Sequence, residues 1–296
     1  MPGPREGAEL FNHSILIAAH PDDEVLFFSS IMDKVDEVVF CFLEHGATVH
    51  LAAGREESLR EHPLKNISCL GLKESRIFWK VDWQNPIITE YGMKEPDRTV
   101  PDKQYRDNYY ALKTCLRKRL DGYSNVVTHN PWGEYGHAEH VQIYRVVRQL
   151  QEEMGFALWF SNYCSNKSFP LMLRYVSGYN SDYITLPTNK EASRHIKSIY
   201  ERNNCWTWFG DWEWFNDESF MKDSYGTELS SIGAIESAPC GHIFPLNMLN
   251  LRTNNAPSPS RSNLLRVLTS KVMQRFSSLS RRTFGLSTTF MFRNLP

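Results

Sequence analysis

Residues 17–24 read Ile-Ala-Ala-His-Pro-Asp-Asp-Glu, which sets His20, Asp22 and Asp23 between two apolar runs, Ile15–Ala19 and Val25–Phe28. Adjacent carboxylates repel, and a surface turn gains nothing from that repulsion. A divalent cation offsets it, and neutral imidazole with carboxylate is an ordinary zinc ligand set. A second cluster follows at 129–140, where His129-Asn-Pro-Trp-Gly-Glu-Tyr-Gly-His137-Ala-Glu-His140 precedes an apolar stretch. His137 and His140, three residues apart, share one face of a helix's first turn, where unpaired amides add positive potential. Zinc in a hydrolase takes three protein ligands and leaves one position for water. One of these histidines with His20 and one carboxylate makes three. One histidine and one carboxylate then remain for proton transfer.

That chemistry suits amide hydrolysis. The reaction needs a strengthened nucleophile, stabilisation of the oxyanion and a proton for the leaving amine. Zinc lowers the pKa of bound water to roughly 7 and polarises a carbonyl. Asp22 can take the water's second proton, and histidine titrates near neutrality, so His137 can hold a proton for the amine.

The elements that would position these groups alternate along the chain. Strand 14–19 leads into the first motif and a helix near 24–34. Glu37–Leu43 reads as a buried strand, Arg55–Leu70 as a helix stopped by Gly71, and Arg76–Val81 as a third strand. Pro-rich residues 84–103 form a long connection, followed by a helix over Tyr105–Leu120. Strands at Val126–Thr128 and Ala157–Tyr163 flank a helix at 137–151. Leu171–Tyr179 and Asp182–Leu186 can pair as a hairpin before a helix near 188–202. The expected fold is α/β: a Rossmann-like, mostly parallel sheet with helices on both faces, plus a C-terminal elaboration. Both motifs then follow strand ends, where open α/β sheets place their sites. No Gly-x-Gly-x-x-Gly follows the first strand, which disfavours dinucleotide binding.

His-Pro-Asp-Asp-Glu with a later Tyr-Gly-His-x-x-His resembles the PIG-L/LmbE-type zinc deacetylases. Those enzymes remove acetyl groups from N-acetylglucosamine-containing substrates, among them glycolipids and thiol-glycoside precursors. The resemblance implies His20, Asp23 and His140 as zinc ligands and Asp22 as general base on the activated water. It implies His137 as general acid or stabiliser of the tetrahedral intermediate, and Tyr135 as the group polarising the acetyl carbonyl. The implied substrate is an N-acetylated sugar or glycoconjugate. The resemblance covers roughly the first half of the chain, with Asn203-Asn204 standing where a later, weaker element would fall. Two departures stand out. Many members carry Asp just before the second metal histidine, where this chain has Glu139, and their Gly-rich stretch after the first motif is here Val25-Leu-Phe-Phe-Ser-Ser30.

Plainer readings exist for each motif. An Asp-Asp pair before an apolar helix is ordinarily an N-cap, and two histidines such as His137 and His140 can equally be a solvated helix start. Their joint occurrence with flanking Gly, Pro and Tyr favours the metal site. The fold could also carry a carbohydrate-binding protein without turnover, or a zinc hydrolase of another amide or ester. Imidazole-carboxylate sites accept divalent metals other than zinc. His129 reads as structural or supporting, and His13, His45, His50, His62, His195 and His242 as ordinary. The run Cys205–Phe215 holds four of the eight tryptophans, read first as packing and second as a sugar-stacking surface.

With 296 residues and 41% hydrophobic content, one sizeable domain over 1–251 is expected. Residues 1–9 lack a signal pattern, and no apolar stretch reaches a bilayer span. The six cysteines are scattered, and Cys41, Cys69 and Cys115 read as buried free thiols, which fits a cytoplasmic location. Residues 252–296 carry eight Arg or Lys and no Asp or Glu, whereas 1–251 hold 25 basic and 34 acidic side chains, a net of −9. This tail reads as a linker and a basic amphipathic helix, suited to peripheral contact with an anionic membrane or glycan, to docking on the acidic body, or to solvent. No readout motif accompanies the charge, so nucleic acid is not an expected partner.

Overall fold

The computed structural model describes residues 10–44, 49–175, 182–223 and 245–251. The chain divides into two compact units, residues 1–206 with 213–252, and residues 207–212 with 253–296. All strands and helices among the described residues belong to the first. The basic tail, His45 and His242 lie outside the described residues.

A seven-stranded sheet forms the centre, in the order β3-β2-β1-β6-β7-β10-β9. Strands β1 (Ser14–Ala18), β2 (Glu37–Glu44), β3 (Ile67–Lys73), β6 (Asn125–Thr128) and β7 (Ala157–Ser161) run parallel. Strands β10 (Asp217–Lys222) and β9 (Tyr183–Pro187) close one side antiparallel. This is the expected mostly parallel α/β architecture. Ile15 and Ile17 enter one core with Leu112 and Leu116 of α3 (Lys103–Arg119) and Val141 and Val147 of α4 (Ala138–Met154). Leu16 and Ala18 point to the other face by strand alternation and are equally buried, so both faces are covered. A second cluster joins Val25 of α1 (Asp23–Phe27) and Met32 to Ile196 and Tyr200 of α6 (Lys190–Arg202). No helix among the described residues is long and apolar enough to cross a membrane.

Several elements differ from the sequence reading. Helix α1 is one short turn rather than a helix to residue 34, because the Ser30 amide donates to Glu218 Oε2 at 2.7 Å instead of to the carbonyl four residues back. Helix α2 (Val49–Glu61) ends before Pro63, and Ile67–Leu70 belongs to β3, paired in register Val38↔Ile67 and Phe40↔Cys69. The open edge of β2 and the residue before proline outweigh the helical spacing there. Residues 76–81 form no strand: 78–80 make a turn, and Arg76 adopts φ 65°. The 84–103 connection contains the hairpin β4 (Ile87–Thr89) and β5 (Gly92–Lys94). Leu171 and Met172 lie in α5 (Phe169–Met172), and β9 pairs with β10 instead of an upstream strand. β8 (Tyr163–Ser165) pairs separately with β11 (Asn247–Leu249).

Cys41 is buried as expected, but Cys69 is half-buried and Cys115 exposed; all three are free thiols. In the aromatic run, Trp214 is a core residue whose Nε1 donates to the Val25 carbonyl, whereas half-buried Trp206 lies under the Lys197 ammonium. Trp208 and Trp212 of the second unit meet edge to face at 5.6 Å.

Candidate metal centre

Strands β1 and β6 are neighbours at the middle of the sheet, and the chain leaves them in opposite directions, to β2 on one side and β7 on the other. Such a switch point opens a crevice beyond the strand ends. His20 follows β1 by two residues, and His129 directly follows β6. Both sequence motifs therefore empty into the same crevice.

Asp23 Oδ2 stands at its centre. It lies 3.3 Å from His20 Nδ1, 3.5 Å from His140 Nε2 and 3.4 Å from His129 Nε2. One ligand atom from each of His20, Asp23 and His140 falls within 4.8 Å of the others. Tetrahedral ligands held about 2.0–2.1 Å from an ion stand roughly 3.3–3.4 Å apart, so this spacing fits a small divalent cation. The donor chemistry fits too: Nε2 of His140, the ring atom that faces Asp23, is buried without a hydrogen-bond partner among the described residues. An orphaned imidazole nitrogen is costly in a protein interior unless something binds it.

The ligand-bearing loop is built around Glu134. Its Oε2 lies 2.8 Å from His140 Nδ1 and 3.2 Å from His129 Nδ1, while Oε1 accepts from the Asn130 amide at 2.9 Å and Ser161 Oγ at 2.5 Å. With Nδ1–H of His140 directed at Glu134, the free lone pair on Nε2 faces Asp23. Burial alone would raise the Glu134 carboxyl; His129 and His140 outweigh it and hold it at about 2. Glu134 adopts φ 45° between Gly133 and Gly136, both also at positive φ. A Cβ at Gly133 would sit 2.6 Å from the His137 carbonyl oxygen, so only glycine lets the loop fold this tightly. His129 is fixed by the Ala19 amide, which donates to its Nε2 at 2.8 Å.

Asp22 occupies the position before α1 with φ 120° and makes no capping hydrogen bond from its side chain, so the plain N-cap reading does not describe it. Burial, and then the neighbouring Asp23 carboxylate, lift Asp22 to about 8. His137 is the residue before α4, its ring 4.8 Å from that of His20 and 4.6 Å from that of His140. Burial, with the charges of His140 and His20, holds it well below 6.5. Glu139 Oε2 lies 3.3 Å from His137 Nδ1, and its Oε1 accepts from the Ser75 amide and hydroxyl at 3.0 and 2.5 Å. Tyr135 is in the same crevice, its ring 5.5 Å from His137 and 5.4 Å from His140. All six candidate residues thus converge.

Other members of the site carried no motif. Glu74 Oε1 lies 3.4 Å from His20 Nε2 and is held by buried Arg55 at 3.0 Å. Its place just past β3 was hidden by the helical reading of 55–70. His62, read as ordinary, is buried 3.4 Å from Glu24 Oε1. Asn203 lies elsewhere, its Nδ2 donating to Ser58 Oγ at 3.2 Å between α6 and α2.

Residues 15–151 match the family model PIG-L, GlcNAc-PI de-N-acetylase. The matched stretch is a little under half of the chain. It runs from β1 to α4 and contains both halves of the crevice described above. Uncharacterized protein L374 of Acanthamoeba polyphaga mimivirus is 24% identical over 202 residues, spanning 64% of this chain and 80% of that protein. Among solved structures, the zinc-inhibited form of teicoplanin deacetylase Orf2 aligns with 71% of this chain and 97% of its own, at 14% identity and a TM-score of 0.45. A40926 pseudoaglycone deacetylase Dbv21 aligns with 73% and 98%, at 13% identity and a TM-score of 0.39.

Proposed function

We propose that this protein is a zinc-dependent hydrolase that removes the acetyl group from an N-acetylated amino sugar or its conjugate. One observation carries the reading: Asp23 Oδ2 stands 3.3 Å from His20 Nδ1 and 3.5 Å from His140 Nε2, inside the stretch that matches a de-N-acetylase family. His20, Asp23 and His140 would hold the ion. A divalent cation there supplies Lewis acidity, polarising an amide carbonyl and making water more acidic.

The remaining steps fall to side chains. Asp22 takes a proton at its carboxylate as water attacks the acetyl carbon; a cation beside it would lower its raised proton affinity and favour the ionised form. Burial keeps His137 neutral, and added cationic charge would push it the same way. A neutral imidazole donates a hydrogen bond, so His137 suits stabilisation of the developing oxyanion better than protonation of the amine. Protonated Asp22 then faces the departing nitrogen. Tyr135, whose ring lies beside His137 and His140, would polarise the acetyl carbonyl with its hydroxyl. Acetate release from N-acetylglucosamine conjugates, assayed with and without chelator, tests the reading: chelator-sensitive release supports it, and release that survives metal removal rejects it.

A further inference from the structure

We propose that Lys167 forms a binding subsite, beside His137, for an anionic substituent on the substrate. The inference takes its location from the deacetylase reading, but its observations are separate.

Lys167 follows β8 in a turn held by hydroxyls: its own amide donates to Ser165 Oγ at 3.2 Å, and the Ser165 amide donates to Ser168 Oγ at 2.9 Å. Ser168 Oγ also donates to the Glu134 carbonyl at 2.5 Å, which ties this turn to the histidine-bearing loop. The Lys167 stem lies across Gly136, where a Cβ would come within 2.9–3.1 Å of three of its methylenes. Its ammonium donates to the Gly136 carbonyl at 3.0 Å and sits 4.1 Å over the Phe78 ring and 5.4 Å over that of Trp83. Phe78 is in turn 4.7 Å from the His137 ring. The charge is therefore at the wall of the crevice.

No carboxylate among the described residues lies within ion-pair distance of this ammonium, in contrast to Arg55, which Glu74 neutralises. An ammonium has three donors, and the Gly136 carbonyl uses one. Burial pulls Lys167 down to about 8 with no neighbouring acid to lift it. Asp22, Asp23, Glu74 and Glu139 line the opposite side of the crevice and are all buried. Lys167 offers a negatively charged group on the substrate a partner over Phe78, outside the residues that would hold the ion. A phosphoryl and a carboxyl group share the required chemistry.

The test is calorimetric binding to the full-length, metal-loaded protein, carried in an Asp22→Asn background so that ligand is not consumed. The ligands are N-acetylglucosamine, N-acetylglucosamine 1-phosphate and N-acetylmuramic acid. One charge-assisted contact is expected to make at least one anionic ligand about tenfold tighter than the neutral sugar. Lys167→Met should abolish the preference with metal content unchanged, and Lys167→Arg should keep it. The two anionic arms separate phosphoryl from carboxyl recognition. Equal affinity for all three ligands, or a preference that survives Lys167→Met, overturns the proposal. Should Lys167→Met fail to fold, the wild-type preference and its retention in Lys167→Arg decide. Because no turnover is read in this background, the binding preference together with no acetate release from the protein with Asp22 intact would sink the deacetylase reading alone.

Discussion

Oε2 of Glu134 lies 2.8 Å from Nδ1 of His140, and both side chains are fully buried. The same oxygen reaches His129, which receives the Ala19 amide at the end of β1. One carboxylate therefore fixes the orientation of the imidazole that faces Asp23 and braces the two central strands at their ends. Partners of this kind set the tautomer and basicity of a metal-binding histidine, and their loss typically costs 10–100-fold in affinity. Glu134→Gln is expected to weaken zinc binding by about that factor, measured by chelator competition. Unchanged affinity would assign Glu134 to loop packing only.

Asp22→Asn separates binding from chemistry. The variant is expected to retain its metal and lose turnover by roughly 10²–10⁴-fold, the usual contribution of a proton-transfer group. Metal content and acetate release are measured on the same preparation. Wild-type turnover would show that another group takes the proton.

Glu218 gives the fold a pH dependence away from the crevice. Burial lifts its carboxyl above 4.5, against hydrogen bonds from the Ser30 amide and hydroxyl and the Tyr163 hydroxyl. Well below 4.5 both the folded and unfolded chains are protonated there, and the group contributes no slope. As pH rises from 4.5 towards the folded value, the unfolded chain ionises first and stability falls. Glu218→Gln removes this slope. Urea midpoints between about pH 4 and pH 8 should show the stability of the variant relative to wild type increasing with pH, and a pH-independent difference would contradict the assignment.

The residues that converge in the crevice were legible because polar groups flanked by apolar runs sit directly beyond β1 and β6. Sheet order then brings those two ends together, as alternation of strands and helices implied. Glu134 and Glu74 were not legible: each is a single carboxylate in a loop, and its meaning comes from a histidine distant in sequence or hidden by a turn. The third sheet strand was missed because Ile67, Leu70 and the preceding residues mimic helical spacing, and only the free edge of β2 decides between the two. Helix α1 was overextended for a similar reason, since the Ser30 amide is captured by Glu218, 188 residues away.

Metal stoichiometry of the purified full-length protein, by mass spectrometry after incubation with excess zinc and removal of free ion, bears most directly on the central claim. One ion per chain in wild type is expected, with the ion lost from His20→Ala and His140→Ala while circular dichroism is unchanged. No retained ion in the wild type, or full retention in both variants, would contradict a shared site formed by His20, Asp23 and His140.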